Sequence, residues 1–220
     1  MSCLKFIGEE IAKLEWNIIA TSIFIIIFAF IVVVLATVGS VFLFRLISKI
    51  DPPARRAGRA GEEFARNIFR KVLTEDDILL SNVNIVYDNK VAEIDDVIIN
   101  SNGVFIIEVK TYSGTLTGNE EDREWLKSKT SRGGIIYEKQ VRNPIKQMKR
   151  QIYILSHYLK NKGIDVWIDG YVFFVNNNSP IHNEYILESY NDIDKALHKN
   201  TRNKMNHDEI QQINAILSNI

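Results

Sequence analysis

The sequence predicts a mixed α/β domain preceded by one membrane-crossing helix. Two observations carry that reading. No charged residue interrupts the chain from Asn17 to Phe44. Beyond Gly61, helical and strand-like hydrophobic periods follow in the order helix, three strands, helix, strand. The chain has 220 residues, 46% of them hydrophobic, which suffices for one packed domain and additional segments. Lys plus Arg and Asp plus Glu both total 27. Global charge therefore gives no argument for nucleic acid or for an acidic partner, and any basic surface has to be local. The one cysteine, Cys3, rules out an intrachain disulfide and fits a reducing compartment.

The first element is the apolar run. A helix needs about 20 apolar residues to cross a bilayer, and NIIATSIFIIIFAFIVVVLATVGSVFLF exceeds that. A cleaved signal has a shorter apolar core, about 7–15 residues after a basic start, whereas this run follows Glu9, Glu10 and Glu15. A core helix of this length would carry a polar face. The expected span is 17–46, after a short extracytoplasmic N-terminus, 1–16, with Trp16 at an interface. Arg45, Lys49, Arg55, Arg56 and Arg59 follow the run, while Lys5 and Lys13 before it are outnumbered by acids. The positive-inside rule then makes this a single-pass protein of the cell membrane with its C-terminal domain in the cytoplasm. Residues 47–56, with Pro52 and Pro53, are expected to form a juxtamembrane linker.

EEFARNIFRKVL is helical, with Glu62, Ala65, Phe69 and Val72 on one inward face and Glu63, Arg66, Asn67 and Arg70 outside. Strands are expected at NVNIVYD, VAEIDDVIIN and GVFIIEVKTY, then a loop containing Gly114, Gly118 and Trp125. A long helix starts at Asn143, a good N-cap, with Pro144 in its first turn; Ile145, Met148, Ile152, Leu155 and Leu159 form its core stripe and Gly163 stops it. DVWIDGYVFFV is a further buried strand, and NHDEIQQINAILSNI a closing amphipathic helix.

The hairpin EIDDVIINSNGVFIIEVK carries the chemistry. A turn at Ser101-Asn102 sets Asp95 opposite Glu108, and one at Asn102-Gly103 sets Asp95 opposite Lys110. In either register Glu93, Asp95, Glu108 and Lys110 share a face, unless a bulge intervenes. Asp96 points the other way. Crowded carboxylates repel, and a cation relieves them. That cation is either Lys110, in a structural ion pair, or a hard divalent metal on oxygen ligands.

With these residues in view, GRAGEE, EIDDVII…NGVFIIEVKTYSGTLTG, a tryptophan and NPIKQMKRQ together resemble the nuclease-related domain (NERD) family, over about residues 57–176. That family is similar to the PD-(D/E)XK phosphodiesterases. The resemblance implies a restriction-endonuclease-like mixed sheet flanked by helices, with 177–220 as a C-terminal extension. It implies a site of Glu62, Asp95, Glu108, Lys110 and Gln147, with Gln151 beside the last. Asp95, Glu108 and Glu62 would hold Mg²⁺ (or Mn²⁺), and Lys110 would act on water or on developing charge. The implied activity is metal-dependent hydrolysis of nucleic acid at the membrane, and the alternative a non-catalytic module binding nucleic acid or a protein. Ile94 stands where the family pattern has proline, and Asp96 where many relatives have histidine.

Arg142, Lys146, Lys149 and Arg150 either contact phosphates or form a solvated basic face. Trp125 is expected to pack against the sheet rather than stack on a base. His157, His182, His198 and His207 lack zinc spacing. Ser113 has no histidine for a hydrolase triad.

Overall fold

The computed structural model describes residues 2–48, 52–176, 180–198 and 204–220. The chain divides into two compact units, 1–52 and 53–220. In the first, α1 (Ser2–Ser48) is one continuous helix. Within it, Thr21–Phe44 is long and apolar enough to cross a membrane, and none of it is buried by protein. At 1.5 Å per residue, those 24 residues reach about 36 Å, against roughly 30 Å of bilayer hydrocarbon. The middle of the expected linker, 49–51, lies outside the described residues. Its later part is helical: α2 (Pro53–Val72) begins at the second proline, well before the predicted start. Proline suits a first helical turn because its missing N–H would have no intrahelical partner there.

The second unit is built on a mixed sheet. Strands β1 (Ile78–Tyr87), β2 (Lys90–Asn100) and β3 (Gly103–Lys110) run antiparallel. Strand β7 (Ile168–Phe174) lies parallel to β3, and the short β8 (Ile186–Leu187) parallel to β7. The order is β1-β2-β3-β7-β8. One face packs on α3 (Pro144–Asn161) and α5 (His207–Leu217), through Val97, Ile99, Val104, Ile106, Met148 and Leu155. The other packs on α2 and α4 (Tyr190–His198), through Phe69, Ile98, Phe105, Ile107 and Phe173. The sheet is covered on both sides, which is why β3 reads as a nearly continuous apolar run.

The long helix follows its sequence signals. Asn143 accepts from the Ile145 and Lys146 amides, and Pro144 follows it. Gly163, at φ 83°, lies just past the helix end. Ile152 is only partly buried; Gln151 and Ile154 are the inward residues the predicted stripe left out.

The expected loop after β3 is instead a second antiparallel sheet of β4 (Thr115–Thr117), β5 (Glu124–Thr130) and β6 (Ile136–Arg142). Trp125 anchors it. The indole is fully buried, lies 6.4 Å from the Phe174 ring and donates through Nε1 to Asn119 O at 2.8 Å. A Cβ at Gly118 would run into the same indole.

The C-terminal region also holds the β2–β3 turn. Asn100 and Asn102 both donate to Leu197 O, at 3.2 and 3.1 Å, and the Met205 amide donates to Ser101 O at 3.0 Å.

Candidate metal and phosphodiester site

The hairpin takes the Ser101-Asn102 register, with Asn100 opposite Gly103 and Asp96 opposite Ile107. The ladder stops there, one pair short of Asp95 and Glu108. Across β1, the ladder skips the Asn82–Asp95 pair, and Asn82 adopts a left-handed φ of 57°. This kink reverses the alternation. Ala92 and Ile94 join Val97 and Ile99 in the core beneath α3. Glu93 is therefore not a fourth acid on one continuous face, and its side chain is exposed. Its backbone oxygen is what faces the site, accepting from Gln151 Nε2 at 2.8 Å.

Glu108 and Lys110 keep the predicted face. The Glu108 carboxylate is fully buried and forms an ion pair with the Lys110 amine. Its other oxygen accepts from Gln151 Nε2 at 2.6 Å. Asp95, freed from the ladder, accepts from the Val109 amide at 2.8 Å. Burial, then the Glu108 charge, pushes the Asp95 carboxyl up to about 7, with a smaller push from Glu62. Burial pulls the Lys110 amine down, but Glu108, with Tyr112 and Asp95, outweighs it and holds the amine above its usual value. Lys110 is a firmly protonated cation at neutral pH.

Helix α2 reaches the end of β3 through a close approach, since a Cβ at Gly61 would overlap the Thr111 side chain. This sets the half-buried Glu62 near the sheet. Arg66, expected outside with its neighbours, is largely covered instead, and its charge acts on Asp96. Asp96 is fully buried on the α2 face and accepts from Ser81 Oγ at 2.5 Å. Burial raises its pKa to about 7.

Of the two glutamines on α3, Gln151 is the one bonded to Glu108, and Gln147 lines the adjoining cleft. Both lie on one helical face at a spacing of four. Burial separates them, and the core stripe that skipped Gln151 hid this.

The cleft encloses about 770 Å³ between β2, the root of the small sheet and the start of α3, with Arg123, Arg142, Lys146 and Arg150 around Glu93 and the glutamines. Arg150 donates to Val91 O at 2.9 Å, and the Lys146 amine donates to Glu121 O. These cations are held by carbonyls, so their charge is not cancelled. Lys149 differs: it is paired with the Glu120 carboxylate.

The family pattern described as nuclease-related domain (NERD) matches residues 57–175. The chain belongs to this nuclease-related family. An uncharacterized protein of Bacillus anthracis is 25% identical over 163 residues, which cover 71% of this chain and 73% of that protein. No solved structure matches the chain significantly. The mixed, helix-flanked sheet is consistent with a restriction-endonuclease-like fold. Among the described residues, no group of three or more His, Cys, Asp or Glu forms a metal-holding cluster. The charge of Glu62 is felt at Asp95 without completing such a group.

What converges is a pair of carboxylates with neutral oxygens. Gln151 Oε1 is buried and has no hydrogen-bond partner among the described residues. The Glu93 carbonyl is adjacent through the same amide. Hard oxygen donors around a repelling acid pair fit Mg²⁺ better than zinc, which prefers nitrogen and sulfur.

Proposed function

We propose that this chain is a membrane-anchored, Mg²⁺-dependent phosphodiesterase acting on nucleic acid. The observation that carries it is the Asp95–Glu108–Lys110–Gln151 cluster, joined through Gln151 to a cleft lined by Arg123, Arg142, Lys146 and Arg150. Asp95 and Glu108 would hold the metal, which supplies Lewis-acid polarisation of a phosphoryl oxygen and of water. Glu62, whose charge reaches Asp95, would contribute through water. Arg123, Arg142, Lys146 and Arg150 receive the phosphate backbone, giving affinity without sequence preference. Lys110, being protonated, stabilises charge developing on the phosphate rather than removing a proton from water. The orphaned Gln151 oxygen accepts from the attacking water, and Gln147 faces the backbone in the cleft. The Thr21–Phe44 helix would tether this domain at the cytoplasmic face, by the basic excess that follows it.

A second reading keeps the same surface for binding alone. The absence of a three-acid cluster among the described residues favours it. One experiment separates the two. The unit 53–220 is incubated with single- and double-stranded DNA and RNA, with Mg²⁺, Mn²⁺ or chelator, as wild type and as Lys110→Ala. Metal-dependent cutting that Lys110→Ala abolishes supports the enzyme. No cutting, together with no calorimetric Mg²⁺ or Mn²⁺ binding, overturns it in favour of the binding module.

A further inference from the structure

We propose that the β5–β6 ribbon is a nucleic-acid arm for single-stranded chains, with Lys127, Lys129 and Lys139 on phosphates and Tyr137 stacked under a base. The substrate class rests on the phosphodiesterase reading above; the arm itself is read from the ribbon's register.

In that register Trp125 pairs with Val141, Lys127 with Lys139 and Lys129 with Tyr137. Directly paired residues, and alternate ones, share a face. One face therefore runs outward from the buried Trp125 to a lysine opposed to a lysine, then to a lysine opposed to a tyrosine. The acids lie on the reverse face. There Glu138 pairs with Ser128, whose hydroxyl donates to it at 3.3 Å, and Glu124 pairs with Arg142.

Like charges set directly opposite each other destabilise a ribbon. Among the described residues, none of the three lysines has a carboxylate partner. A face that gathers cations and sends its acids to the other side is arranged for an external anion.

Two further observations give the anion its chemistry. Tyr137 is 59% exposed beside Lys129, a flat ring with no other ring packed over it among the described residues. Alternating cations and an exposed aromatic suit a single strand, whose phosphates are gripped while an unpaired base stacks. Lys127 also lies 5.9 Å from the centroid of the Tyr112 ring, and Tyr112 lies in the field of Lys110. The lysine face thus adjoins the end of β3 where the proposed site lies. It is separate from the cleft cations, which lie at the ribbon's root and on α3.

The test uses the full chain in lipid nanodiscs, with chelator present so that binding is read without cleavage. Fluorescence anisotropy follows a labelled single-stranded oligonucleotide and the matching duplex across a salt series. Lys127→Gln with Lys139→Gln should flatten the single-strand salt slope by about 1.4, at about 0.7 for each phosphate no longer neutralised. Tyr137→Ala should weaken single-strand binding by roughly 5- to 150-fold, with far less effect on the duplex. The lysine double variant should also melt no lower than wild type without nucleic acid, because a repulsive pair is removed. If wild type binds and cuts while these variants match it in affinity and slope, the arm is wrong and the nuclease reading stands. If the variants lose binding but wild type never cuts with metal, the arm stands and the nuclease reading falls. If nucleic acid is not bound and the variants lose only association with anionic vesicles, the ribbon is a membrane contact and the proposal is overturned.

Discussion

Asp95→Asn should stabilise the fold without metal at alkaline pH and leave it nearly unchanged in acid. In the fold Asp95 titrates near 7, against 3.8 for an unperturbed aspartate. A carboxyl so raised holds its proton more tightly when folded. Stability is fullest below the unfolded value and declines as pH rises, until the decline ends near 7. At about 1.36 kcal/mol for each tenfold in proton affinity, the ionised group withholds roughly 4 kcal/mol. Glu108 shares in that repulsion, so the relief belongs partly to the pair, and a gain of about 1–3 kcal/mol is expected. Asparagine keeps an oxygen to accept from the Val109 amide, so the backbone hydrogen bond survives. Asp96 carries a similar burden, but it is present in both proteins and cancels from the difference. The assay is urea unfolding of the unit 53–220 at pH 4.5 and pH 8.5, with chelator and with Mg²⁺. With chelator, the variant's midpoint should exceed wild type at pH 8.5 and lie much closer to it at pH 4.5, where most of the penalty has not yet set in. Saturating Mg²⁺ at about 100 times its Kd should add roughly 2.7 kcal/mol to wild type and much less to the variant. A variant that is less stable at pH 8.5, or equally shifted at both pH values, would refute the account of crowded, buried carboxylates.

Gln151→Leu should cost about 1–3 kcal/mol, since the buried Glu108 and the Glu93 carbonyl lose a donor; Gln147→Leu, at the cleft wall, should be much milder, and thermal melts of both compare them directly. Trp125→Ala should cost about 3–5 kcal/mol, because a fully buried indole is lost from the base of the small sheet, as equilibrium unfolding would report. A C-terminal reporter active only outside the cytoplasm should stay silent on the full chain, with the mature N-terminus retained; a bright reporter would reverse the topology.

What could be read from the residues was whatever follows a regular period. The Asn143-Pro144 start and Gly163 stop of α3 rest on local backbone chemistry and appear as expected. The hairpin turn placed Glu108 and Lys110 together because β3 keeps strict alternation. β2 does not, and the cause lies in its neighbour: Asn82 in β1 turns left-handed and displaces Asp95 from the ladder. No pattern within EIDDVII reports that. The β4–β6 sheet was hidden because its strands show almost no apolar alternation; β6 is exposed along nearly its whole length and depends on Trp125 at its root. Helix α4, only Tyr190–His198, is too short to declare a period and buries just Ile193, Ala196 and Leu197.

The family match ends at residue 175, but the compact unit runs on to residue 220. Strand β8 covers the flank of β7 at Val172 and Phe173, and the residues around α4 and α5 grip the far end of the acid-bearing hairpin. A chain cut at the family limit would present a bare, apolar strand border, a template for pairing with another copy. It would also release the hairpin tip opposite the carboxylates. Domain boundaries drawn from resemblance alone would thus yield an aggregating fragment, and its lack of activity would say nothing about the chemistry of the intact protein.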